Sequence, residues 1–256
     1  MRPDLRAPRQ MRPVRIEADF LPTAEGSALI SVGHTRVVCT ATLEDSVPGF
    51  RRGSGQGWLT AEYAMLPRAT LTRTPREVAK GRISGRSHEI QRLIGRSLRA
   101  AVDFARLGER TLIVDCDVLQ ADGGTRTAAI TGGFVAAALA LERMRDSQTL
   151  KTSALRDYLA AVSVGVVQGQ AVLDLNYAED SMAEVDMNIV LTGSDKFVEI
   201  QGTAEGAPFD QAQATALFAL AREGAAELFA AQRQALEQAL GRSLDLSLPT
   251  AAPGRA

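Results

Sequence analysis

The chain has 256 residues, 45% hydrophobic and 23% charged, with a formal net charge of −1 and two cysteines. That balance suits one large folded unit and excludes wholesale disorder, collagen-like repeats and a disulfide framework. No uninterrupted apolar run approaches the ~18–20 residues of a membrane helix. The opening MRPDLRAPRQMRPVRIEADF lacks the apolar stretch of a secretory signal, so a cytoplasmic protein with no membrane partner is expected.

In chain order, the first sixty-odd residues alternate apolar and polar positions. Val14, Ile16, Ala18 and Phe20 keep period two. After a break at TAEGS, the run ALISVGHTRVVCTATLE predicts a hairpin turning near Gly33 and His34. WLTAEYAML resumes the alternation with Leu59, Ala61, Tyr63 and Met65. Between these strands, Gly53, Gly55 and Gly57 superficially match a nucleotide fingerprint, but no helix follows and a dinucleotide fold fails on context. From Ser87 the period becomes helical, with Ile90, Leu93, Ile94, Leu98, Ala101 and Val102 on one face. Thr111 to Leu119 predicts a short strand, and the alanine-rich TAAITGGFVAAALALERM after the loop QADGGTR predicts a buried helix. Strand-like AAVSVGVVQ, AVLDLNY, VDMNIVL and KFVEIQG follow, then a helix from about Asp210 to Leu240.

Each half is thus several strands followed by a helix, an α+β fold with internal pseudo-duplication. The halves cover about residues 10–150 and 155–242 of one unit spanning 1–242, and 243–256 is expected to be a flexible tail. Cys39 and Cys116 lie in apolar extended runs and read as buried thiols in a reducing compartment. His34 and His88 fit no metal-ligand spacing.

The near-zero total conceals sorted charge. Residues 1–15 carry five arginines against Asp4. Residues 68–99 carry eight arginines and Lys80 against Glu77 and Glu89, and residues 174–210 carry nine carboxylates against Lys196 alone. Basic segments rich in arginine suit a polyanionic partner, because the guanidinium fork pairs bidentately with phosphate; solvated faces or subunit interfaces are the alternative. The sharpest anion candidate is Asp122-Gly123-Gly124-Thr125-Arg126, which joins a strand to a helix start where free N–H groups and the dipole favour negative charge. A tight turn with Thr125 as N-cap is the blander reading. The segment Arg82 to Ser87 opens the preceding long helix with similar chemistry. Asp174, Glu179, Asp180 and Asp186 supply carboxylates; Asp180 and Asp186 share a face if extended and can still converge across a turn. Such a pair among bound phosphates suits Mg²⁺, or one member can act as a general acid.

GQGWLTAEYAMLPRATLTRTPRE, GRISGRSHEIQRLIGRSLRAAVD, DCDVLQADGGTRTAAITGG and LDLNYAEDSMAEVDMNIV, in this order, closely resemble the RNase PH family of bacterial phosphorolytic 3′-exoribonucleases, over about residues 10–240. The resemblance implies duplicated βαβ-type halves of the RNase PH-like fold and a homohexameric ring built as a trimer of dimers. It also implies removal of 3′-terminal nucleotides from tRNA precursors and other structured RNA, with inorganic phosphate as co-substrate, releasing nucleoside diphosphates. By similarity, Arg86, Gly124, Thr125 and Arg126 hold phosphate, and Asp180 and Asp186 are the catalytic or Mg²⁺-binding carboxylates. Arg68, Arg73 and Arg76 form a basic loop that guides RNA, and Arg92 assists. The chain departs from the family at Leu5, where members often have a glycine before the arginine. A non-catalytic RNA-binding ring subunit would lack the phosphate arginines or the acidic pair, and a small-molecule phosphotransferase would need nucleotide motifs that are missing.

Overall fold

The computed structural model describes residues 2–244 and 246. Strands β1 (Val14–Ala18), β2 (Gly26–Val32), β3 (Thr35–Glu44) and β4 (Trp58–Met65) precede helices α1 (Gly85–Ala100) and α2 (Phe104–Leu107). Strand β5 (Thr111–Gln120) and helix α3 (Thr125–Asp146) complete the first half. The second half runs β6 (Leu159–Val167), β7 (Gln170–Leu173), α4 (Tyr177–Asp180), β8 (Val185–Thr192), β9 (Phe197–Ala204) and α5 (Gln211–Leu240).

The first sheet has the order β1-β2-β3-β5-β4 and the second β7-β6-β8-β9. Val32 pairs with Thr35, so the β2–β3 hairpin turns at Gly33 and His34. β4 and β5 are parallel, which requires a crossover, and α1 supplies it. All pairings in the second sheet are antiparallel. Both halves therefore end in a long helix behind a sheet, but the parallel βαβ crossover occurs in the first half only.

Helix α3 packs against β2 and β3 of one sheet and against β6 of the other, while α5 packs against β6, β1 and α3. One hydrophobic cluster consequently spans both halves. Helix α3 is long and apolar enough to cross a membrane by composition, yet 94% of its apolar window is buried inside the protein. Its small residues, Ala128, Ala129, Ala136, Ala137 and Ala140 among them, let two sheets approach it from opposite sides. Cys39 and Cys116 are register partners across β3 and β5, buried and unpaired as disulfides.

Two local readings change. AVLDLNY extends only to Leu173, because Asp174 takes a left-handed φ of 56° and Asn176 then caps α4. Within the 243–256 tail, Leu244 and Leu246 pack on the core and the Leu244 carbonyl accepts from the Tyr158 hydroxyl at 3.2 Å. Asp245 and 247–256 lie outside the described residues.

Candidate active site

Two adjoining cavities, of about 650 and 600 Å³, lie where the two halves meet, and Arg86, Arg126, Asp180 and Asp186 line both. Asn188 and Gln201 of the second sheet help line the larger, and the Gly123–Thr125 turn with Leu71 and Tyr177 lines the other.

The first half brings two helix starts to the site. Ser84, Asp103, Asn176 and Asp210 cap their helices through side-chain oxygens, whereas α3 begins at Gly124 with no side-chain cap. Its first-turn N–H groups are left available at the positive end of the helix dipole. Gly123 and Gly124 have φ of 76° and 66°, and a Cβ on Gly123 would lie 2.6 Å from the Leu175 carbonyl oxygen. Glycine therefore lets the turn both reverse and touch the second half. Thr125 is the first helical residue, and its hydroxyl accepts from the Tyr63 hydroxyl at 2.9 Å. Burial, the largest influence, raises the Tyr63 phenol, opposed by the nearby Arg86 and Arg126.

Arg126 donates to Gln201 Oε1 at 3.0 Å and lies 3.8 Å from Glu89, which also accepts from Gln201 at 2.8 Å. No acidic residue occupies the first turn of α3, so within the helix this cation opposes the dipole, and the charges that offset it come from Glu89 and from Asp180 and Asp186 across the site. Arg86 occupies the first turn of α1.

The second half brings the carboxylates. Asp180 closes α4 and Asp186 is the second residue of β8, so a turn draws them together. Asp186 is pushed up to about 6, first by burial and then by the charge of Asp180, with Arg126 and Arg86 opposing. Asp180 is also raised by burial, against the same two arginines. Asp186 Oδ1 is buried without a hydrogen-bond partner among the described residues. No group of three or more His, Cys, Asp or Glu residues suited to a metal occurs among the described residues. The chemistry of the pair, with one bare buried oxygen, would suit a hard cation that takes its remaining ligands from water and phosphate oxygens.

Other charged candidates are placed elsewhere. Arg68, Arg73, Arg76 and Arg92 are exposed and line neither cavity. The first three lie on the segment joining β4 to α1, which leads to Arg86. Arg76 lines a neighbouring cavity of about 520 Å³ with Asp115 and Asp117. The N-terminal arginines do not present a free basic face: Arg2 pairs with Glu179, Arg6 with Asp4, Asp174 and Glu179, and Arg12 with Asp174. Arg9 and Arg15 pair at the surface with Glu223 and Glu17. Asp174 and Glu179 are therefore structural carboxylates outside the two cavities.

Sequence reasoning missed Tyr63, Glu89, Asn188 and Gln201. For Asn188 a signal existed, since two residues beyond Asp186 on a strand is the same face; the register also pairs it with Gln201.

An uncapped helix start flanked by two arginines, facing paired carboxylates, defines a site for phosphoryl or nucleotidyl transfer. Residues 10–141 match domain 1 and residues 157–224 domain 2 of the 3′ exoribonuclease family, RNase PH. The chain is 62% identical over 237 residues to Ribonuclease PH of Solibacter usitatus, covering 93% of this chain and 100% of that protein. It is 55% identical over 241 residues to Ribonuclease PH of Bacillus subtilis, covering 94% and 98%. The fold matches the crystal structure of rice Rrp46 with a TM-score of 0.74 at 20% identity, over 92% of this chain and 100% of that one. It matches an Archaeoglobus fulgidus exosome with RNA bound to the active site equally, at 0.74 and 24% identity, over 90% and 91%. The chain belongs to the RNase PH family of 3′ exoribonucleases.

Proposed function

We propose that this chain is a phosphorolytic 3′-to-5′ exoribonuclease that removes 3′-terminal nucleotides from tRNA precursors, using inorganic phosphate and releasing nucleoside diphosphates. The observation that carries the reading is the meeting of Arg86, Gly124, Thr125 and Arg126 with Asp180 and Asp186 around one cavity of about 600 Å³. The Ribonuclease PH names of relatives at 55–62% identity support it.

Orthophosphate is held by the α3 amides and the two guanidinium groups, which neutralise its charge and aim one oxygen at the last phosphodiester. A bond forms between that oxygen and the RNA phosphorus as the bond to the preceding 3′-oxygen breaks. The shortened RNA leaves with a 3′-hydroxyl, and the old phosphodiester becomes the α-phosphate of the released diphosphate. A phosphoanhydride replaces a phosphodiester, so abundant diphosphates drive the reverse reaction and add nucleotides to RNA 3′ ends. The departing 3′-oxygen needs charge compensation. Asp186, titrating at about 6, is suited to carry a proton toward it near neutral pH. Asp180 and Asp186 also suit Mg²⁺, which when bound supplies positive charge for the phosphate and leaving oxygens.

Arg68, Arg73 and Arg76, with Arg92 on α1, guide the RNA backbone toward Arg86. The working assembly is a homohexamer, a trimer of dimers, acting in the cytoplasm. Incubating the protein with a 3′-extended tRNA, with and without phosphate, tests the activity. Diphosphates released only with phosphate support it, and phosphate-independent monophosphates refute it.

A further inference from the structure

The densest block of buried charge lies beside the active site, outside both cavities. Arg12 bonds both oxygens of Asp174, at 2.8 and 2.6 Å, and its backbone N–H donates to the same carboxylate at 2.8 Å. The same guanidinium donates to the Asp122 carbonyl and, at 3.5 Å, to the Gly123 carbonyl, which also accepts from the Thr35 hydroxyl at 2.6 Å, in the turn that opens α3. Arg2 bonds both oxygens of Glu179, at 2.6 and 2.8 Å, and the Asp174 carbonyl at 2.8 Å. Arg6 bridges Asp174 and Glu179 at 3.2 and 3.3 Å. Glu179 accepts from the Asn176 N–H at 3.0 Å in the α4 capping box and directly precedes Asp180.

Buried ion pairs of this kind contribute little net stability compared with apolar packing, because desolvation offsets their attraction. Their geometric effect here is specific. Across a planar trans peptide the carbonyl of one residue and the N–H of the next point in opposite directions. By holding the carbonyl of Asp122, Arg12 therefore sets the direction of the Gly123 amide, and with Thr35 it shares the hold on the Gly123 carbonyl that directs the Gly124 amide; both glycines line the cavity. Arg2 and Arg6 hold Glu179 and hence the short helix that presents Asp180. Asp174, in its left-handed conformation, joins the two arrangements.

Resting on the phosphorolytic reading above, we propose that residues 2–12 are a positioning strut. Arg12 sets the phosphate turn, Arg2 sets the carboxylate helix, and Asp174 fixes the spacing between them. These are positioning residues, since none touches the reacting groups.

The test uses the full chain with Arg12→Lys, Arg2→Lys and Asp174→Asn, and with Arg9→Ala as an exposed control from the same segment. Phosphorolysis of a 3′-extended RNA at varied phosphate is combined with equilibrium dialysis of ³²P-orthophosphate and thermal melting. Arg12→Lys is expected to raise both the phosphate KM and its Kd about tenfold or more, with kcat within about threefold. Arg2→Lys is expected to lower kcat about tenfold or more, with the phosphate Kd within about threefold. Asp174→Asn, near-isosteric and tolerant of positive φ, moves the phosphate Kd in the same direction as Arg12→Lys. Arg9→Ala changes neither constant. Folded Arg12→Lys and Asp174→Asn proteins that bind phosphate like the parent, losing only melting temperature, overturn the strut. A parent chain that binds orthophosphate but cleaves RNA without it refutes the activity, while the dialysis still decides the strut.

Discussion

Replacing Arg126 with alanine removes a cation that faces the phosphate turn and the carboxylate pair at once. Its guanidinium is held at 3.0 Å from Gln201 Oε1, so the parent chain keeps it in place before phosphate arrives. A charge-assisted hydrogen bond contributes about 1.5–3 kcal/mol, equivalent to about a 10- to 160-fold rise in phosphate KM. The same loss removes one of the two positive charges that oppose the upward shift of Asp186 from 3.8 to about 6. With protonated Asp186 as the acid, the higher pKa left by the loss of Arg126 moves the alkaline limb of the rate profile to higher pH in the variant. Initial rates of diphosphate release, measured against phosphate concentration from pH 5.5 to 8.5, read both effects. A phosphate KM within about threefold of the parent refutes the assignment of Arg126 to phosphate. An alkaline limb that does not move refutes its electrostatic link to Asp186.

Asp186→Asn is expected to abolish turnover while stabilising the fold at pH 7.5, measured without phosphate and with a chelator. A carboxyl whose folded pKa exceeds its unfolded value binds more protons when folded, so stability falls as pH rises between 3.8 and about 6. The gain in the variant is at most about 3 kcal/mol, vanishing near pH 4, and equal melting temperatures at pH 7.5 contradict it. Arg73→Ala is expected to weaken RNA binding with phosphate KM unchanged, and to reduce the slope of log affinity against log salt by about 0.7–0.9. An unaltered slope in filter binding removes Arg73 from the RNA path. Leu5 is exposed at φ 63°, so Leu5→Gly is expected to stabilise the chain. The left-handed penalty of about 1–2 kcal/mol exceeds the chain entropy a glycine adds, about 0.5–1 kcal/mol, and urea unfolding that shows a loss contradicts this.

The elements were legible where burial imposes a period. Leu59, Ala61 and Tyr63 alternate because one face of β4 meets the core, and Ile90, Leu93, Ile94 and Leu98 repeat because one face of α1 does. The loss of the AVLDLNY strand at Asp174 was illegible, because its left-handed turn is held by Arg12, 162 residues away. In the site, Gly124-Thr125-Arg126 carried a local signature, glycines before a helix start followed by a cation. The convergence of Asp180 with Asp186 depends on a turn and a sheet register, which local patterning leaves open. The N-terminal arginines misled for a related reason. Counted along the chain they form a basic run, but the carboxylates that neutralise Arg2, Arg6 and Arg12 arrive from Asp174 and Glu179 in the other half. The opposed charge of residues 1–15 and 174–210 was the available hint.

The most direct test follows the phosphorus atom. With ³²P-orthophosphate and a 3′-extended tRNA, the label is predicted in the β-phosphate of each released nucleoside diphosphate, one per nucleotide removed, and strongly reduced at limiting phosphate in Arg126→Ala. RNA shortening that yields unlabelled monophosphates, with the new oxygen drawn from water, contradicts an orthophosphate held between the two halves.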